Sequence, residues 1–123
     1  MAAPNIISAT TILGKTTGVS LTTTADTTVL SNANSSGKCL KINTLNVANY
    51  GASTAVVSIQ WNNAANLSGT SFAIAGNISI PSGSTLNIID KTSQYYLEEN
   101  TSLGATAGTA NTLTVTCSYE DIS

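Results

Sequence analysis

From Thr112 to Tyr119 the chain alternates without a break. Leu113, Val115, Cys117 and Tyr119 take one parity, and Thr112, Thr114, Thr116 and Ser118 take the other. A period of two puts successive side chains on opposite faces of an extended chain, so this window predicts a strand with one buried face. Phe72, Ile74, Ile78 and Ile80 form a second set against Ser71, Asn77 and Ser79, with Gly76 on the apolar parity, where a bulge is expected. Val57, Ile59 and Trp61 form a third set against Ser58 and Gln60. Leu40 and Ile42 have one parity and Leu45 and Val47 the other; one extra residue near Asn43-Thr44 reconciles them.

Turn chemistry falls between these runs. Gly14-Lys15, Ala25-Asp26, Ser35-Ser36-Gly37, Tyr50-Gly51-Ala52, Pro81-Ser82-Gly83, Glu99-Asn100 and Ala107-Gly108 each offer residues suited to chain reversal. The spacing predicts about eight short strands in an all-β, antiparallel β-sandwich of jelly-roll or Ig-like type. No window has a helical period, and the frequent Thr, Val and Ile residues lose side-chain freedom in a helix. Residues 1–123 read as one domain, with an apolar arm over 1–9. Asn62 to Thr70 is the longest polar loop.

Composition narrows the chemistry. Of 123 residues 41% are hydrophobic but only 8% charged, where about a quarter is usual. The balance is Thr, Ser, Asn and Ala, so the surface is neutral and rich in hydroxyl and amide groups. There are four lysines, no arginine and no histidine. Histidine-based nucleophiles, His-containing zinc sites and bidentate phosphate clamps are therefore excluded. A net charge of −2 gives nucleic-acid backbones nothing to bind. The N-terminus lacks the basic and apolar regions of a secretory leader. No run approaches the roughly 18 apolar residues of a membrane span.

Apparent chemical motifs weaken on inspection. Ala9 to Thr16 fits a relaxed phosphate-loop pattern, yet the following Thr17-Gly18-Val19-Ser20-Leu21 has strand composition where that loop needs a helix. Gly14-Lys15 reads instead as a hairpin turn. Glu98-Glu99 and Glu120-Asp121 read as solvated acidic residues, and no run has the spacing of a calcium loop. Cys117 falls on the apolar parity as core filler, while Cys39 opposes Leu40 and Ile42 and so belongs to the polar face or an interface. A bridge between the two is left open. Trp61 and the adjacent Tyr95-Tyr96 are either core caps or a stacking platform for sugars.

The order of several elements carries a resemblance. Ser36-Gly37-Lys38 leads into an alternating strand ending Val47-Ala48-Asn49. Ile80-Pro81-Ser82-Gly83-Ser84-Thr85-Leu86 and Tyr96-Leu97-Glu98-Glu99 follow, and Cys117-Ser118-Tyr119-Glu120-Asp121-Ile122 closes the chain. From about residue 10 onward this layout resembles the small capsid decoration (cement) proteins of tailed bacteriophages, cyanophage-like members included. Asn100-Thr101 stand where those proteins carry Gly-Asp, which removes any role of that Asp.

The resemblance implies a non-enzymatic virion protein without cofactor or metal, made in the host cytoplasm and placed on the outer capsid surface. There it would stabilise the icosahedral head as a homotrimer bridging copies of the major capsid protein, with no nucleic-acid or membrane partner. The candidate contact residues are Pro4, Ile6, Ile7, Cys39, Trp61 and Tyr95. The arm either waits for its partner or folds back as a first strand. The alternative is a tail or neck accessory, or a glycan- or receptor-binding module of the virion.

Overall fold

The strand with the clearest alternation occupies the middle of a sheet. In a computed structural model that describes residues 7–123, β9 (Leu113–Ile122) pairs with β1 (Ile12–Leu21) on one side and β3 (Cys39–Asn49) on the other. Two short strands, β6 (Thr85–Ile89) and β7 (Tyr95–Leu97), share the far edge of β3. The facing four-stranded sheet has the order β2-β8-β4-β5, from β2 (Thr27–Asn32), β4 (Ala55–Asn62), β5 (Ser71–Ile80) and β8 (Thr101–Ala107).

The pairings are nested: β1 with β9, β2 with β8, β3 with β6 and β7, β4 with β5, all antiparallel. The chain is thus one long hairpin, rolled so that alternate pairs fall in opposite sheets. That is the jelly-roll form of sandwich, not the ABED/CFG order of an immunoglobulin domain.

The core forms where the inner faces meet. Leu21, Ile42, Leu45, Val47, Leu113 and Val115 of one sheet pack against Val57, Ile59 and Leu103 of the other. Each such side chain contributes about 1.5–3 kcal/mol by leaving water. The expected bulge in β3 is present: Ile42 opposes Tyr119 and Thr44 opposes Ser118, which leaves Asn43 extra and turns all four aliphatic residues inward. β5 carries two shifts against β4, one of them at Gly76-Asn77, where Asn77 adopts φ 50°. Ala75 is thereby buried, and Phe72 stands exposed opposite Trp61.

One turn expectation needs correction. Gly14-Lys15 is no hairpin; it lies within β1, paired with Glu120 and Tyr119. The reversal comes at residues 22–26, where the Ala25 N–H donates to Thr23 Oγ1 at 3.3 Å. A turn also went unread at Asp90, whose carboxylate accepts from the Thr92 backbone N–H at 2.9 Å and so closes the β6–β7 connection. The polar loop after β4 contains a single 3₁₀ turn (Ala65–Leu67) and lies on the outer face of the four-stranded sheet: Leu67 N–H donates to Ser102 Oγ at 2.9 Å.

Pro4 and Ile6 lie outside the described residues. At the start of the described chain, the Thr10 and Thr11 N–H groups both donate to the Ser123 carbonyl, which extends the β1–β9 ladder by one turn of pairing.

Candidate interaction surface

The alternation of β9 carries past the core into a polar end. Leu113, Val115 and Cys117 are fully buried, Tyr119 is half-buried, and the next residue on that face is Asp121. It is only 5% exposed. One carboxylate oxygen, Oδ2, accepts from Lys15 Nζ at 2.9 Å and from Lys38 Nζ at 3.2 Å. Burial pushes this carboxyl up, but the hydrogen bonds and charges of the two lysines outweigh burial and hold it below its usual value. Reciprocally, the hydrogen bond and charge of Asp121 raise Lys15 above its usual value. The triad pins the first half of β1 and the approach to β3 onto β9.

Every residue from Ile12 to Thr16 is exposed, whereas β1 sinks into the core only toward Leu21. Ile12 is 55% exposed on the outer face and Leu13 50% exposed on the inner one; Ile7, just before the strand, is 91% exposed. This end therefore presents aliphatic side chains on both faces of an edge strand.

The sequence-derived candidates separate in space. Ile7 lies at that end. Cys39 has the outer parity expected of it, opposite Ile122, yet it is 5% exposed and so does not offer its thiol at a surface. Trp61 packs partly against the core with its ring centroid 5.7 Å from that of Phe72. Tyr95 and Tyr96 oppose Ile42 and Lys41 as alternation requires, but on a three-residue edge strand both rings remain exposed. Tyr50 follows the opposite end of β3. Trp61 and Phe72 thus form one ring pair, while Tyr50 lies at the end of β3 opposite to Tyr95 and Tyr96.

Three acidic residues read as solvated are engaged, among them Glu120, whose Oε2 accepts from Asn43 Nδ2 at 3.0 Å. Asp121 is another. In Glu99, Oε2 accepts from Gly37 N–H at 3.0 Å, while Oε1 is buried with no partner among the described residues. The signal for Asp121 was its even spacing with Cys117 and Tyr119 on one parity, which its charge concealed.

The thiols are held apart. Cys39 pairs at Ile122, and Cys117 lies at the other end of that strand segment, roughly 16 Å away at about 3.3 Å per residue. A disulfide needs Cα atoms within about 7 Å. Burial pushes the Cys117 thiol up to about 12, and burial, with the charge of Glu98 adding, raises Cys39.

Among the described residues no cleft or cavity opens and no three His, Cys, Asp or Glu side chains gather as metal ligands. No helix is long and apolar enough to cross a membrane.

Neither a protein-family model nor a curated protein sequence matches the chain. Its fold does have solved counterparts. One is a protein from a study of Bacillus endospore appendages, described as a novel family of disulfide-linked pili, with a TM-score of 0.50 and 14% identity over 92% of this chain and 88% of that one. Another belongs to the T13 IBDV viral particle, with a TM-score of 0.50 and 11% identity. It aligns with 93% of this chain, which spans only 31% of the viral one. At such identities the likeness is one of fold.

Proposed function

We propose that the protein is a structural component of a tailed-phage virion that decorates and braces the icosahedral head by bridging major capsid subunits. The observation that carries this reading is the jelly-roll order of its strands, an arrangement that also serves in a viral particle. The motif order from Ser36 to Ile122 supports it, as does a surface with few charges. The exposed aliphatic side chain of Ile7, in the arm before β1, supplies the contact. Binding only to the assembled shell stabilises that shell by mass action. Contacts that are polar but neutral vary little with salt.

An appendage subunit is the other use to which this fold is put. Linkage through disulfides suits this chain poorly, because both thiols are buried and far apart.

The test is loading of the purified chain onto undecorated heads, followed by counting copies per particle and heating the particles. Many copies and a higher disruption temperature are expected, with little change between low and high salt. Removing residues 1–9 should abolish loading while the β-sheet spectrum persists. Binding of a few copies at the tail alone, or none, overturns head decoration.

A further inference from the structure

The free edge of a sheet exposes unpaired N–H and C=O groups, and proteins blunt such edges by making them short, bulged or charged. Three of the edge positions here are blunted. β2 has six residues and a register shift between Thr28 and Leu30. β5 shifts register twice, and the far edge of the five-stranded sheet is divided between β6 and β7, of five and three residues. β1 differs. It runs ten residues and pairs with β9 without a shift from Ile12–Ile122 to Leu21–Leu113. Its one charge, Lys15, is engaged by Asp121.

The direction of its free groups follows from its first bonds. Thr11 N–H donates to Ser123 O at 2.9 Å, and Ser123 N–H donates to Thr11 O at 2.9 Å. Bonded and non-bonded pairs alternate along an antiparallel ladder. The odd-numbered residues from Leu13 to Leu21 therefore turn their backbone groups toward β9. Ile12, Gly14, Thr16, Gly18 and Ser20 turn theirs away from the sheet.

We propose that this edge pairs with β1 of a second copy of the chain, antiparallel about a two-fold axis at Thr16, so that two five-stranded sheets become one. In this register Thr16 faces its own copy, Ile12 faces Ser20 and Gly14 faces Gly18. Every outward-pointing residue then exchanges both of its bonds. On the inner face Leu13 meets Val19, which covers the half-exposed leucine, and Lys15 meets Thr17. Moving the axis to Lys15 sets two lysines directly opposite and leaves Ser20 without a partner. Moving it to Thr17 strands Ile12 and sets Lys15 against Val19. The occupant is thus a copy of the same strand, and the solution species has two chains, not the three that the phage resemblance implies. This uses only the edge's own groups and stands independently of the virion reading.

Sedimentation equilibrium on the full chain should give twice the chain mass. Thr16→Lys and Thr16→Glu each place like charges face to face across the axis, so each variant should run at one chain mass with an unchanged circular dichroism spectrum. Mixing the two variants should restore twice the mass, a repair that damage to the fold would not show. Amide exchange needs no variant: the Gly14, Thr16 and Gly18 amides should be protected in concentrated solution and exposed on dilution. An unmodified chain with one or three chain masses at the highest concentration, a mixture that stays at one, or amides that exchange alike at all concentrations would overturn the proposal.

Discussion

Asn49, the last residue of β3, donates from Nδ2 to the carbonyl of Ile80, the last residue of β5, at 2.8 Å, so that one amide ties the two sheets together. The same nitrogen reaches Ser53 O at 2.8 Å, and Oδ1 accepts from Gly51 N–H at 2.9 Å. At the other end of the sandwich Asn32, last in β2, donates to Leu97 O at 3.0 Å and Lys38 O at 2.8 Å, again joining one sheet to the other. Asn49→Ala strips a buried carbonyl of its partner and frees two turns. We expect a loss of about 2–4 kcal/mol, read as a lower urea midpoint. Exposed Asn34→Ala should cost under about 0.5 kcal/mol. Equal costs at both positions would contradict the inter-sheet role.

Stability should follow pH through Asp121. Its folded carboxyl lies below the ordinary value of 3.8, so the unfolded chain binds the proton more readily. The contribution is full above that value and disappears as pH falls below it, through the folded value. Lys15 behaves oppositely: raised above 10.5, its contribution is full below that value and is lost as pH rises through the folded one. Asp121→Asn should cost about 1–2 kcal/mol at neutral pH, since both lysine heads are half-exposed and rehydrate. The gap in urea midpoint between the two proteins should close as the solution is acidified; parallel curves throughout would sink the ion triad.

Gly104 in β8 lies beneath Leu67. A Cβ there would stand 2.8 Å from both leucine methyl groups. Leu67 is also held in place, at φ 58° with its N–H on Ser102 Oγ. Gly104→Ala should therefore destabilise by about 1–3 kcal/mol. In a Leu67→Ala background the cost should shrink by at least about 0.5 kcal/mol, a coupling that a double-mutant cycle measures. Additive losses would show that the loop does not bear on the sheet.

The thiols should be inert while the chain is folded. Cys117, pushed up to about 12, and Cys39, raised by burial, both stay protonated near neutrality. A colorimetric thiol reagent should find neither in the native protein and both in guanidinium. Formation of an intrachain bridge in the native state by a mild oxidant would contradict the separation along β9.

The strands were legible wherever a single face is buried. Leu113, Val115 and Cys117 declared β9, and the parity change between Ile42 and Leu45 declared the bulge at Asn43. Local chemistry misled at Gly14-Lys15, where turn-forming residues lie inside a strand because β9 supplies partners on one side. Asp121 was missed because its spacing spoke for burial and its charge against it. Only the approach of Lys15 and Lys38 from distant parts of the chain decides between the two.

Alternation by itself determined that this chain is an antiparallel sandwich and which residues fill it along β3 and β9, because a period of two commits each side chain to a face; in β5 the register shifts exposed Phe72 and buried Ala75 instead. Strand order, the exposed end at Ile12 and Leu13, the clamps at Asn32 and Asn49 and the unblunted edge of β1 were decided by tertiary structure. Each depends on which segments meet across long stretches of sequence, and a periodic pattern carries no information about partners.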